Sequence, residues 1–180
     1  MSNSKSDIMK IVIAGLNDVG KTSIVMSLSG RINLLDFLSI EPTKSAEISN
    51  IYLDHTKYNI WDLGGQSQYR NDYIENFNEY FKGAQKLIYV IDVQGIDKYD
   101  LAIDYLQKIL AKLRENEITI STDIFLHKFD PNLFEMHPEV PEEKVDELLN
   151  TLNYIMAKED HFYQIFETTI YTTFEKKFAI

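Results

Sequence analysis

The run Gly15-Leu16-Asn17-Asp18-Val19-Gly20-Lys21-Thr22 has the residue types and the spacing to hold a chain of phosphates. It fits the pattern G-x-x-x-x-G-K-[ST], in which glycines let the backbone curl so that several N–H groups face one phosphate cluster. A helix opening at the end of the loop adds the positive end of its dipole. The amides from Asn17 to Ser23 would then cradle the phosphates. Lys21 would neutralise the outer ones, and the Thr22 hydroxyl would ligate Mg²⁺. The flanks suit this reading, with apolar Met9–Ala14 before the loop and Ser23–Leu28 after it.

Further along, Trp61-Asp62-Leu63-Gly64-Gly65-Gln66 supplies what the loop lacks. A carboxylate at a strand end, Asp62, can hold Mg²⁺ through a water. Gly65 can offer its N–H to a terminal phosphate where a Cβ would crowd the approach, and Gln66 can orient an attacking water. In Glu41-Pro42-Thr43 the Thr43 hydroxyl would complete the Mg²⁺ shell when a third phosphate is present, ordering the loop as a switch. Ser45 is a weaker alternate. Arg70, the nearest arginine to Gln66, reads as a surface residue.

A base would be read by His127-Lys128-Phe129-Asp130, at the end of an apolar strand where open parallel sheets bind ligands. Asp130 can accept two hydrogen bonds from guanine, from the ring N–H and the exocyclic amine. Adenine offers no such pair, so the carboxylate would be left unpaired. The Lys128 stem would lie along the base. Thr169 and Ile170 stand just past the last strand, where a backbone N–H can meet the guanine carbonyl.

The elements that must position these groups alternate between strand and helix patterns, the mark of an α/β domain with a mainly parallel sheet. Strands are predicted near 9–14, 46–53, 57–62, 87–93, 123–126 and 163–168. The second and third form a hairpin across Asp54-His55-Thr56. Helices are predicted at 21–29, 69–82, 97–115 and 142–158. Residues 131–141, holding three of the four prolines, read as a loop. A final helix capped at Thr172 or Thr173 and ending at Ile180 is too short to cover a sheet face. Either the chain is one module of a longer protein or something else covers that face.

Composition narrows the class. At 180 residues the chain has the size of one domain. No apolar run is long enough to cross a bilayer, and the polar residues 1–8 lack the apolar core of a signal peptide. Ser2 stands where myristoylation needs glycine, and the absence of cysteine removes thiol lipidation, disulfides and zinc–thiolate sites. A cytoplasmic protein without a direct membrane anchor is expected. The net charge of −10 argues against a nucleic-acid partner.

Taken together and in this order, the motifs resemble the small GTPases of the Ras superfamily over essentially the whole chain. Trp61 to Gln66 is similar to both the Arf and the Rag/Gtr branches. His127-Lys128-x-Asp130, in place of the usual Asn-Lys-x-Asp, is what the Rag/Gtr branch carries. Leu87–Val93 and Thr168-Thr169-Ile170-Tyr171 are also Rag-like, whereas Thr43 after Pro42 is closer to Arf and Ras. The resemblance implies a single G domain over 1–180 with the phosphate-loop NTPase fold: a six-stranded, mainly parallel sheet with one antiparallel strand and helices on both faces. It implies GTP/GDP and Mg²⁺ binding, slow hydrolysis, protein effectors with GAP- and GEF-type regulators, and a homo- or heterodimer as a possible assembly.

Two departures stand out. Asn17 occupies a position where many Ras-type proteins have glycine, so an arginine from outside would meet its side chain. The C-terminal domain through which Rag proteins dimerise has no counterpart in these residues. Two rival readings remain at this point: a guanine-nucleotide-bound scaffold that does not hydrolyse, and a phosphate-loop kinase, against which Asp130 counts.

Overall fold

The computed structural model describes residues 8–30, 39–53, 55–159 and 162–171. Six strands form one sheet: β1 (Ile8–Gly15), β2 (Ala46–Leu53), β3 (Thr56–Leu63), β4 (Lys86–Asp92), β5 (Ser121–His127) and β6 (Tyr163–Thr168). Their order across the sheet is β2-β3-β1-β4-β5-β6. Only the hairpin pair β2–β3 is antiparallel; β3–β1, β1–β4, β4–β5 and β5–β6 are parallel. All parallel strands therefore end on the same edge, and the loops leaving that edge carry the motifs.

The helices are α1 (Lys21–Leu28), α2 (Ser67–Glu75), α3 (Phe77–Phe81), α4 (Tyr99–Glu115), the single turn α5 (Leu133–Met136) and α6 (Glu142–Lys158). They lie on both faces, and the register shows it. Ile13 pairs with Asp62, whose carboxylate meets Thr22 of α1. The next residue, Ala14, pairs with Tyr89, whose hydroxyl donates to the Ala102 carbonyl of α4. Successive strand residues point to opposite faces, so α1 and α4 cover opposite sides.

The middle of the sheet is buried on both sides, which is why β4 reads as an unbroken apolar run: Leu87, Tyr89, Val90 and Ile91 are almost fully buried. α4 buries Ala102, Tyr105, Leu106, Ile109, Leu110 and Leu113 along one stripe. Each large apolar side chain so placed contributes about 1.5–3 kcal/mol. Among the described residues no helix is long and apolar enough to cross a membrane.

Two sequence expectations need correction. The predicted helix 69–82 is two helices meeting at Asn76, whose backbone sits at φ −102°, ψ 39°. The Asn76 side chain donates to the Asp72 carboxylate, and its N–H donates to the Asp72 carbonyl, so the turn is locally satisfied. The helix resumes with Phe77, Tyr80 and Phe81 still facing inward, so the apolar period runs through the break. The predicted loop 131–141 contains the turn α5, which buries Leu133. The helix expected from about 172 lies outside the described residues, as does most of the polar N-terminal segment.

Candidate functional site

The phosphate loop joins β1 to α1. Gly20 precedes the helix at φ 92°, a left-handed conformation that suits glycine. The first bond of the helix runs from the Ile24 N–H to the Gly20 carbonyl. The amides of Lys21, Thr22 and Ser23 thus precede the first intrahelical donor and are the free N-terminal donors of α1. A cavity of about 400 Å³ opens in front of them, lined by Asn17, Asp18, Gly20 to Ser23, Ile40 to Thr43, Gly65, Gln66 and Lys128. Most of the residues singled out for phosphate and metal chemistry therefore share one wall.

Lys21 is buried, and its ammonium donates to the carbonyls of Leu16 at 2.6 Å and Gly15 at 3.3 Å. Burial lowers its pKa to about 8, against the pull of Asp62 and Asp18. The loop thus holds a cation short of counter-charge at the bottom of the cavity, where an anion would be welcome.

Three side-chain oxygens converge beside it. The Thr22 hydroxyl donates to Asp62 Oδ2 at 2.6 Å and stands 2.9 Å from the Thr43 hydroxyl, which lies 3.4 Å from the same carboxylate oxygen. The other Asp62 oxygen is buried with no hydrogen-bond partner, and burial raises the pKa of the carboxyl. An all-oxygen set fits Mg²⁺. The Thr22–Thr43 separation also matches neighbouring ligands of an octahedron with bonds of about 2.0–2.1 Å. Thr43 is the hydroxyl of this loop that meets Thr22 and Asp62, whereas Ser45 accepts the Tyr73 hydroxyl through its carbonyl.

Gly65 is a glycine for a reason closer than a phosphate. A Cβ there would stand 2.2 Å from the backbone of Leu16 and Asn17, so the segment before α2 lies directly on the phosphate loop. Gln66 follows at the N-cap of α2 and lines the cavity. The side chain of Val19 is core, leaving its backbone for the loop. Asn17 is exposed at the mouth, with its amide on the Asp18 carboxylate.

Arg70 is not the surface residue its sequence position suggested. It is half-buried, its guanidinium 5.3 Å from the centre of the Tyr105 ring, and its Nε has no hydrogen-bond partner. Its charge works against protonation of Lys21.

The residues expected to read the base sit beyond the Lys128 end of the cavity. Asp130 accepts from the Gln94 side chain at 3.1 Å and from the Thr169 hydroxyl. Lys128, at φ 61°, reaches the Asp92 carboxylate at 2.6 Å. His127 is buried, with Nδ1 2.9 Å from the Thr168 hydroxyl and its ring edge against Gly20. Ile170 is exposed next to Thr169 and is not among the residues that line the phosphate cavity. Sequence reasoning missed Asp92 and Gln94, which tether Lys128 and Asp130. Their place at the carboxyl end of β4 was the available signal.

Comparison with known proteins agrees with this layout. A family model described as the Gtr1/RagA G protein conserved region matches residues 10–176. Among curated proteins, the chain is 26% identical over 172 residues to the ADP-ribosylation factor-like protein alp41 of Schizosaccharomyces pombe, covering 96% of this chain and 82% of that one. It is 28% identical over 102 residues to human ADP-ribosylation factor-like protein 5A and 29% identical over 102 residues to the E3 ubiquitin-protein ligase arc-1 of Caenorhabditis elegans. Those two matches take in 57% of this chain, and the chain spans 52% and 18% of the respective relatives. In fold it is similar to the Arl6 BBS3 small GTPase of Trypanosoma brucei, solved with the nucleotide analogue GppNp bound: TM-score 0.69, 19% identity, 90% of this chain and 87% of that one covered. With the phosphate loop, the Trp61–Gln66 segment and the His127–Asp130 segment on one sheet edge, the chain belongs to the Gtr1/RagA family of G proteins, small GTPases with both Rag and Arf character.

Proposed function

We propose that this domain binds GTP with Mg²⁺, hydrolyses it slowly to GDP, and signals its state to protein partners through residues 39–45 and the Gly64–α2 segment. The observation that carries the reading is the meeting of Thr22, Thr43 and Asp62 within 3.4 Å of one another, with Thr22 and Thr43 on the cavity wall that Gln66 also lines. These groups come from three separate segments: α1, the loop before β2, and the end of β3.

Thr22 and Thr43 would hold Mg²⁺ directly and Asp62 through a water; the ion would offset negative charge on the outer phosphates. The chain's own part is positional. The α1 amides and Lys21 draw charge off the phosphate oxygens as it develops. Gln66, fixed at the N-cap of α2, accepts a hydrogen bond from a water and holds it in line with the terminal phosphate. Asp130, oriented by Gln94 and Thr169, takes the ring N–H and amine of guanine. Among the described residues Lys21, and no arginine, lines the cavity, which suits a low intrinsic rate.

Single-turnover hydrolysis of GTP with Mg²⁺, compared with Gln66→Leu, tests this. The parent should release phosphate slowly, and the variant at least tenfold more slowly with its GTP affinity retained. Equal rates would remove Gln66 from the mechanism. No release by either protein over hours, with GTP still bound, would leave a scaffold that holds nucleotide without consuming it.

A further inference from the structure

We propose that Tyr73 is a positioning residue that latches the Thr43 loop to α2 by donating its hydroxyl to the Ser45 carbonyl. This inference rests on the function proposed above and deepens it.

Ser45 is gripped from several sides. Its carbonyl accepts the Tyr73 hydroxyl at 2.7 Å and the Gly64 N–H at 2.8 Å. Nearby, the Tyr80 phenol donates to the Asp72 carboxylate at 2.6 Å. Tyr73 and Tyr80 brace one another edge to face, with ring centres 4.6 Å apart. Ser45 is held at φ 60°, a left-handed conformation that its β-carbon disfavours. The contact also requires Gly64, since a Cβ there would stand 2.5 Å from the Thr43 carbonyl and 2.9 Å from the Ser45 carbonyl.

The consequence lies in which segments this joins. Thr43, two residues before Ser45, belongs to the oxygen cluster. Gly64 stands one residue before Gly65, which lies on the phosphate loop. Tyr73 sits on α2, the helix that Gln66 caps. One carbonyl thus ties the metal-facing loop to the element that sets the water-positioning glutamine. The Tyr73 hydroxyl is fully buried, so if residues 43–45 move away it must find another acceptor or go without. Loss of the Thr43 contact and loss of α2 order are therefore one event, and the latch is closed when a terminal phosphate holds Thr43 in place.

Tyr73→Phe removes the hydroxyl and keeps the ring that packs on Tyr80. At saturating GTP and Mg²⁺ we expect its single-turnover rate to fall about tenfold. The release rate of a non-hydrolysable GTP analogue should rise by a similar factor, while the release rate of GDP and the melting temperature of the GDP form stay close to the parent's. A purely structural role would loosen both nucleotides alike and lower the melting temperature of both forms, and that pattern overturns the latch. So does a variant that hydrolyses and retains the analogue as the parent does.

Hydrogen exchange on the parent gives a second reading that needs no variant. The Gly64 amide should be protected with the analogue and exposed with GDP; equal protection in both overturns the latch. A parent that binds neither nucleotide would overturn the functional reading, and the latch with it.

Discussion

The His127 ring stands where a side chain at position 20 would have to go: a Cβ on Gly20 would lie 2.6 Å from Cδ2 and 2.8 Å from Nε2. Through its other edge His127 reaches Thr168 at the end of β6. One buried ring therefore spans from the phosphate loop to the strand that precedes Thr169, and the two halves of the site are braced against each other.

Gly20→Ala should accordingly fail twice over, by collision with the ring and by strain at φ 92°. Affinity for a fluorescent GDP is expected to drop at least tenfold, on the order of 1.4 kcal/mol or more. Adding His127→Ala should restore only part of the loss, because the backbone strain remains. Full recovery in the double variant would show that φ carries none of the cost.

His127 also gives the fold an acid sensitivity with a defined sign. Burial lowers its pKa, Lys128 lowers it further, and Asp92, Asp130 and the Thr168 backbone oppose them. Below the ordinary histidine value of 6.5 the unfolded chain takes up a proton that the native ring resists, so stability falls as pH drops from there toward the native pKa. His127→Asn should flatten the melting temperature over that window, the other histidines being common to both proteins. Parallel curves for parent and variant would contradict this.

Asp62 is kept at the expense of the empty fold. It is 2% exposed, one of its oxygens has no partner, and burial raises its pKa. Asp62→Asn, which can still accept from Thr22, should stabilise the nucleotide-free protein by about 1–3 kcal/mol in chemical unfolding. The same change should remove the extra thermal protection that Mg²⁺ gives the GTP-bound form. A destabilised empty variant would mean that the carboxylate is already compensated.

A comparable cost sits under α2. The Tyr105 hydroxyl is buried and unpartnered beneath the Arg70 guanidinium. Tyr105→Phe leaves the ring and the cation contact in place, so stability should be unchanged or raised by up to about 1 kcal/mol. A clear loss of stability would show that the hydroxyl has a partner in solution.

Local chemistry made much of this legible. The phosphate loop, Trp61–Gln66 and His127–Asp130 each carry their logic within a few residues, and α6 and β6 fall where their patterns placed them. Asn76 was not legible, because helices on either side of the break keep the same face buried. The single turn Leu133–Met136 is too short to show a period. Contacts between distant residues were beyond reach: nothing near Gly20 announces His127, and nothing near Ser45 announces Tyr73. Arg70 misled because an arginine beside a switch-like segment ordinarily faces water, whereas here Tyr105 offers its ring.

Guanine recognition by Asp130 is the claim on which the rest depends, and an exchange of base preference tests it most directly. Asp130→Asn replaces an acceptor with a donor, which suits xanthine, whose carbonyl stands where guanine has its amine. Binding of GTP and XTP by the parent and the variant should show the parent preferring GTP by about a hundredfold or more and the variant reversing that preference. A variant that keeps the parent's preference for GTP would contradict the account.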